Sequence, residues 1–458
     1  MPEFTLNEVI TATAGKLSVR GNFQKFSGVS IDSRTLVPGA VFFAIQGTNF
    51  DGHNYITDAA EKGATAVVCE RITDLPSDWP GAVIQVADSL QAFGRLACFH
   101  RQRFAVPVIG ITGSNGKTTT KELIAAILAE KKRVVKTEKN YNNEIGLPLT
   151  LFKMDAATEA VVVEMGMRGM GQIAYLADLA KPTMGVITNI GLTHLELLGT
   201  QAAIAAAKAE LIQALPVSGW AILNADDPLV APMASQCKGG SLFYSLQQGS
   251  DLSRPSSALF LVDATTKAAS EEVTVDGRWG KFRFTLPLLG RHNIANALAA
   301  ATASLALGLT TEEVARGLQK ATTAEKRLRI VEVDGITVLD DTYNASPASV
   351  QAALAVLQQL QNSGRKIAVL GDMLELGKIS KQAHYKIGEL VADYGCAAQE
   401  GAARKGISAY HFGSKEELGI ELEFYLKPGD AVLIKGSRGM EMEAVVEKLI
   451  ACAEGGER

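Results

Sequence analysis

Residues 110–122 read Gly-Ile-Thr-Gly-Ser-Asn-Gly-Lys-Thr-Thr-Thr-Lys-Glu and follow the apolar run Val106-Pro107-Val108-Ile109. A buried strand that runs into a glycine-rich loop and then a helix builds a triphosphate cradle. Backbone N–H groups point inward, and the helix N-terminus adds partial positive charge. Lys117 supplies a cation and Thr118 can place a hydroxyl on Mg²⁺. Ile111 holds the first glycine position of the full G-x-x-x-x-G-K-[ST] pattern, and glycines fall instead at 110, 113 and 116. The bland alternative is a Gly-rich turn before a helix. The order of strand, loop, lysine, threonine and helix argues against it. The expected ligand is ATP or GTP, and the loop alone leaves the use of its energy open.

Open α/β sheets place ligands at the carboxyl ends of their strands. Glu164 ends a strand predicted over 159–164. Asn189 and His194 come at and after the end of one predicted over 184–190, and Lys208 and Glu210 lie on the next helix. Singly, each has a bland reading: a strand-end carboxylate, a satisfied histidine, a solvated lysine. Together they sit on the nucleotide side of the sheet. A carboxylate and a neutral imidazole near Thr118 are candidate Mg²⁺ ligands, although Mg²⁺ prefers oxygen. Further along, Asp340-Asp341-Thr342-Tyr343-Asn344 closes a predicted hairpin. Ser346 and Pro347 read as the N-cap and first residue of a helix. Asp341 and Tyr343 can touch a ligand from the same turn. Gly371–Gly377 and Lys435–Gly439 also follow strands, and their cations could hold an anionic group.

Elements of an α/β protein must carry these groups. At 458 residues the chain can hold two to four domains. Its 47% hydrophobic and 21% charged content is globular. A net charge of −4 argues against a nucleic-acid surface. No apolar run approaches the roughly 18–20 residues that span a bilayer. Five cysteines without a C-x-x-C pair and an N-terminus without a charged or apolar leader fit a reduced, cytoplasmic protein. The first hundred residues read as mixed α/β. Parallel-type strands alternating with helices follow. An antiparallel excursion is predicted over 240–287 with a turn at Asp276-Gly277, then an Ala-rich helix over 293–307. From near Thr323 a second open α/β sheet is predicted: a hairpin at Asp334-Gly335, helices over 347–361, 381–394 and 440–452, and strands over 366–370, 409–412 and 431–435.

These stretches together resemble the Mur ligases, the ATP-dependent amide ligases of peptidoglycan precursor synthesis. The resemblance runs through Asp32-Ser33-Arg34, Phe43–Gly47, Gly113–Thr119, Asn140–Pro148, Glu164–Met167, Thr188–Gly191, His194–Glu196, Ala207–Leu211, Gly290–Asn293 with Asn296, Asp341–Pro347, Gly371–Gly377 and Lys435–Arg438. It is strongest to the member that adds D-alanyl-D-alanine to UDP-N-acetylmuramoyl-tripeptide. It implies an α/β protein of three domains: an N-terminal mixed α/β uridine-binding domain (1–100), a central P-loop parallel-sheet domain (101–323) and a C-terminal Rossmann-like domain (324–458).

The resemblance also implies roles. ATP would meet Gly113, Ser114, Asn115, Gly116, Lys117, Thr118, Thr119, Asn296, Arg327, Asp341 and Tyr343. Mg²⁺ would meet Thr118, Glu164, His194 and a carbamylated Lys208. Lys117, Lys208, His194 and Arg327 would be catalytic. The UDP substrate would meet Ser33, Arg34, Gly47, Asn140 and Asn143. A cytoplasmic monomer is expected, with no nucleic-acid partner and no membrane insertion. Departures from the family pattern are Gln172 for Glu, Ser346 for Asn and Lys326 for Gly. The rivals are a Mur ligase adding diaminopimelate or lysine, a folylpolyglutamate synthetase, and a non-catalytic P-loop binder. The first lacks support because no Asp-Asn-Pro-Arg occurs, and the second because Ser33-Arg34 is present. A guanine switch lacks its [NT]-K-x-D motif.

Overall fold

The computed structural model describes residues 1–72, 75–76, 78–247, 258–322, 325–394 and 410–455, with side chains of the closing helix given to Ala451. The predicted boundary at Thr323, Ala409 of the predicted strand over 409–412, and Cys396 lie outside the described residues.

Val108–Thr112, Ala160–Glu164 and Met184–Ile187 are continuous apolar runs, the signature of parallel strands covered on both faces. They form the middle of a nine-stranded sheet. In spatial order it runs Phe282–Leu286, Glu271–Gly277, Leu259–Thr266, Gly240–Ser245, Trp220–Asn224, Met184–Ile187, Val108–Thr112, Ala160–Glu164 and Val134–Lys136. Register pairs Glu164 with Ile111 and Ile187 with Thr112, so three strands end together at the glycine-rich loop. The antiparallel excursion is present at one edge. Its turn is not at Asp276-Gly277, which pair with Phe260 and Leu259 inside the ladder; it follows at 278–280. Gly277 answers a close approach instead, since a Cβ there would meet the Ala258 carbonyl oxygen at 2.3 Å.

A five-stranded sheet precedes this one, and a four-stranded sheet follows it. In the latter, Arg329–Val333 and Ile336–Asp341 form the predicted hairpin. Asp334 and Gly335 both have positive φ (49° and 75°), which matches the right-handed twist of the strands. Ala431–Lys435 and Lys366–Leu370 extend it in parallel. Residues 410–412 form no strand, and a helix not anticipated from sequence spans Lys415–Tyr425. Its Leu418 and Leu422, four apart, pack on the sheet face lined by Val432 and Ile434.

The helix Ser89–Gln102 joins the first two sheets. Phe93, Leu96 and Ala97 share one core with Phe43 and Ile84 before them and Leu151, Phe152 and Leu176 after them. The last sheet has its own core on each face, and Leu289 is the only buried member contributed by the preceding unit among the described residues.

Candidate active site

The loop 113–116 is held by the adjacent strand end. Ser114 N–H donates to the Asn189 carbonyl at 2.9 Å and Asn115 N–H to Asn189 Oδ1 at 3.0 Å. Thr188 Oγ1 and Asn189 Nδ2 donate to the Asn115 carbonyl at 2.6 and 3.1 Å, and Gly191 N–H donates to Ser114 Oγ at 2.8 Å. Two glycines are sterically required. A Cβ on Gly113 would lie 1.8 Å from Thr188 Oγ1, and one on Gly116 (φ 83°) would lie 2.3 Å from Asn296 Oδ1. The loop then opens the helix Lys117–Leu128 with no side-chain cap, so its first N–H groups remain available to an anion.

Lys117 Nζ and Lys208 Nζ both donate to the Gly113 carbonyl, at 2.9 and 3.1 Å. Lys208 is 1% exposed and has no carboxylate partner among the described residues. Burial drives its amine well below the ordinary lysine range, and the charge of Lys117 adds to this. Lys117 is lowered too, by burial first, with Glu164 opposing and Arg327 reinforcing. A buried amine without counter-charge, as at Lys208, marks a place built to be completed by another group.

Thr118 Oγ1 donates to Glu164 Oε2 at 2.7 Å, and Asn142 Nδ2 donates to Glu164 Oε1 at 2.8 Å. A buried carboxylate beside a hydroxyl at the phosphate cradle is an all-oxygen donor set, which suits Mg²⁺. Among the described residues no three His, Cys, Asp or Glu side chains gather to hold a metal, so phosphate oxygens and water would have to complete the shell. Asn142 belongs to the quoted Asn140–Pro148 stretch, but its hold on Glu164 was not read from it. The adjacent asparagines were the available signal.

His194 starts the short helix Leu195–Leu198 in left-handed backbone (φ 65°), and its Nδ1 lies 2.7 Å from Glu375 Oε2 of the last sheet's unit. Burial pushes the imidazole below its usual value; Glu375 opposes this, while Lys208 and Lys117 reinforce it. Glu210 faces elsewhere: its carboxylate accepts from Gly171 and Ala174 N–H at 2.7 and 2.9 Å, and so caps the helix Gln172–Ala180. Lys208 and Glu210 thus serve different partners, because two residues apart on a helix point to different faces.

The last unit meets the cradle through its first hairpin. Ser346 Oγ donates to Asn115 Oδ1 at 3.1 Å and caps the helix Pro347–Gln359. Arg327 lies 4.0 Å over the Tyr343 ring. Asp341 pairs with buried Lys435 at 2.5 Å and accepts from Leu328 N–H at 3.2 Å. Lys326 and Leu328, on either side of Arg327, have φ of 60° and 52°. Glycine adopts that region at no cost, which explains a family preference for it at position 326. Asn296 Oδ1 accepts from Thr120 Oγ1 at 3.3 Å, and its Nδ2 donates to Asn293 at 3.2 Å beneath Gly116.

Of the five residues expected to meet the UDP substrate, Ser33, Arg34 and Gly47 belong to the first unit, while Asn140 and Asn143 flank Asn142, which holds Glu164. Ser33 is buried, and the Arg34 guanidinium grips Asp32 at 2.7–3.2 Å while staying 84% exposed. Gly47 N–H bonds the Phe50 carbonyl, closing a loop where Phe50 stacks on Tyr55 with centroids 5.0 Å apart. Asn143 Oδ1 accepts from Gly146 N–H at 2.9 Å at the start of the helix Gly146–Leu151. Asn140 precedes Asn142 in the same turn, and the Asn142 N–H donates to its carbonyl.

Three family descriptions match the chain in order: "Mur ligase family, catalytic domain" over residues 25–101, "Mur ligase middle domain" over 111–304, and "Mur ligase, glutamate ligase domain" over 326–438. The UDP-N-acetylmuramoyl-tripeptide–D-alanyl-D-alanine ligase of Bacillus subtilis is 37% identical over 437 residues, covering 92% of this chain and 93% of its own. The crystal structure of MurF from Acinetobacter baumannii superposes with a TM-score of 0.88 at 29% identity, covering 98% and 99% of the two chains. The MurF ligase of Thermotoga maritima, solved in complex with ADP, gives 0.82 at 31% identity over 93% and 98%. With three family descriptions matched in order along the chain and relatives this similar over nearly its whole length, the chain belongs to the Mur ligase family.

Proposed function

We infer that the protein is an ATP-dependent ligase that joins D-alanyl-D-alanine to UDP-N-acetylmuramoyl-tripeptide, yielding UDP-N-acetylmuramoyl-pentapeptide, ADP and phosphate. The observation that carries this reading is the cradle itself: a phosphate loop that carries Lys117, with buried Lys208 on the same Gly113 carbonyl and the charge of Arg327 reaching Lys117 from another unit. A site that only held a nucleotide has no need for a second, buried lysine without a carboxylate partner among the described residues.

The tripeptide's terminal carboxylate attacks the γ-phosphorus of ATP. The bond to the bridging oxygen breaks, and an acyl phosphate and ADP result. The dipeptide amine then attacks the acyl carbon, loses a proton, and phosphate leaves. Two anions must approach in the first step. Lys117 and Arg327 lower that repulsion, and loss of one such donor costs about 10²–10³ in rate. Thr118 and Glu164, with His194 and Lys208, would hold Mg²⁺, which supplies further charge neutralisation at the phosphates. A lysine kept as free amine by burial is the form that adds CO₂, so Lys208 is read as a carbamate. Asn296, Asp341 and Tyr343 would frame the nucleotide, beside the loop residues Gly113–Thr119. Ser33, Arg34, Gly47, Asn140 and Asn143 would hold the UDP substrate.

The domain division proposed is 1–100, 101–323 and 324–458. A monomer acting in the cytoplasm suits substrates of this kind, and no helix among the described residues is long and apolar enough to cross a membrane. The test is phosphate release with UDP-N-acetylmuramoyl-tripeptide, with and without D-alanyl-D-alanine. Release that requires both supports the reading. Release indifferent to the dipeptide, or addition of diaminopimelate or lysine to a shorter precursor, overturns it.

A further inference from the structure

We propose that a cavity of about 420 Å³ between Arg168, Gly169, Gln172, Glu196, Leu197 and Glu375 takes the incoming dipeptide as a zwitterion, with its ammonium on Glu375 and Glu196 and its carboxylate on Arg168. This rests on the ligase reading above and names the groups that hold its second substrate.

The cavity straddles the boundary between the central unit and the last. Glu375 reaches it from the loop after the strand Lys366–Leu370, in left-handed backbone (φ 62°). A non-glycine residue held there is strained, and such strain persists only where the surroundings fix it. They do so here. Glu196 N–H meets the Glu375 carbonyl at 3.4 Å, and a Cβ on Gly377 would lie 3.3 Å from Glu196 Cα. The backbones that carry the two acidic residues are thereby brought together from different units. Among the described residues neither Glu196 nor Arg168 has an ion-pair partner, and Glu375 has only His194. Both carboxylates line the same cavity, and an ammonium there can donate a charge-assisted hydrogen bond to each.

The direction of binding follows from what lies next door. Glu375 Oε2 is 2.7 Å from His194 Nδ1, and His194 adjoins the lysines on the Gly113 carbonyl. Glu375 thus stands between the cavity and the cradle where the acyl phosphate forms. The reacting nitrogen belongs at that end, and the dipeptide carboxylate at the Arg168 end. An extended dipeptide is about 7 Å long, well within a cavity of this size. Leu197, 57% exposed, supplies an apolar wall for the alanine methyl groups.

The test is steady-state amide formation by the full chain, varying each substrate in turn. Glu375→Gln and Arg168→Ala are each expected to raise the dipeptide KM by at least about tenfold, the worth of one charge-assisted hydrogen bond. In Arg168→Ala and Glu196→Gln the KM values for ATP and UDP-N-acetylmuramoyl-tripeptide stay within about twofold. Glu196→Gln should move the dipeptide KM the same way, and serves as the second carboxylate test should Glu375→Gln melt early. A dipeptide KM unmoved in all three, or a fall in kcat alone, overturns the proposal. A rise in the UDP-substrate KM instead also overturns it and gives the cavity to the tripeptide's third residue. Wild-type protein that forms no amide overturns the ligase reading. Active wild type with unmoved variants overturns only the assignment of the cavity.

Discussion

Two junctions separate the three larger sheets of the chain, and they are built from opposite materials. Between the first sheet and the central one, the helix Ser89–Gln102 is shared. Phe93 meets Phe43 edge-on at 5.4 Å on one side and Phe152 at 5.4 Å on the other, within a single buried cluster. Between the central sheet and the last, the contacts described above are polar: Ser346 on Asn115, Glu375 against His194, and a single shared apolar residue, Leu289. An apolar seam resists opening because every displacement exposes its area to water. A polar seam exchanges its partners for water at little net cost. The first junction therefore fixes the first unit relative to the phosphate loop, and the second can open and close at little cost in buried apolar area. Chemistry is placed at the seam that can move.

That contrast can be broken by asking which side of it a substitution affects. The largest expected effect is at the cradle. Lys117→Ala should lower ADP formation by about 10²–10³-fold while its thermal midpoint stays near that of the wild type. Coupled-enzyme ADP detection and a melting curve read the two separately, and normal turnover would detach the cradle from the reaction. Phe93→Ala should do the reverse, costing about 3–5 kcal/mol of stability in denaturant while the folded fraction keeps its kcat. A loss below 1 kcal/mol would mean that the first seam is not a shared core.

Ser346→Ala removes a helix cap and a bond across the second seam. A stability loss of about 1 kcal/mol is expected, with a rise in the ATP KM that Phe93→Ala does not show. The smallest effect is a slope with pH. His292 packs against Gly290 and Val356 at the polar seam, and burial, aided by the charge of Lys435, pushes its imidazole down to about 4. The unfolded chain binds this proton near pH 6.5 and the folded one only near 4, so the contribution is full above 6.5 and is lost as pH falls toward 4. His292→Asn should flatten the melting midpoint across that window. An unchanged slope would show that the ring is not kept neutral by the fold.

Much of the centre was legible because it is local. Gly113, Gly116, Lys117 and Thr118 lie in one strand–loop–helix stretch, and the hairpin at Asp334-Gly335 carries its own turn chemistry. Where the reading failed, a distant neighbour decided. Asp276-Gly277 looks like a turn, yet Gly277 is needed because Ala258 comes too close. Glu210 shares a helix with Lys208, yet it caps another helix that begins nearly forty residues earlier. The helix Lys415–Tyr425 was missed because Gly419 interrupts a short, charge-rich segment whose apolar face is narrow.

The sequence by itself determined the phosphate loop, the alternation of strand and helix, and the family, because each is written in contiguous residues whose backbone preferences and spacing act within a few positions. Only the tertiary structure decided that Asn142 holds Glu164, that two lysines ninety-one residues apart share the Gly113 carbonyl, and that Glu375 faces His194 across a polar seam. Those pairings depend on which strands lie side by side and on which units meet, and folding sets both through the burial of apolar faces far from the residues that do the chemistry.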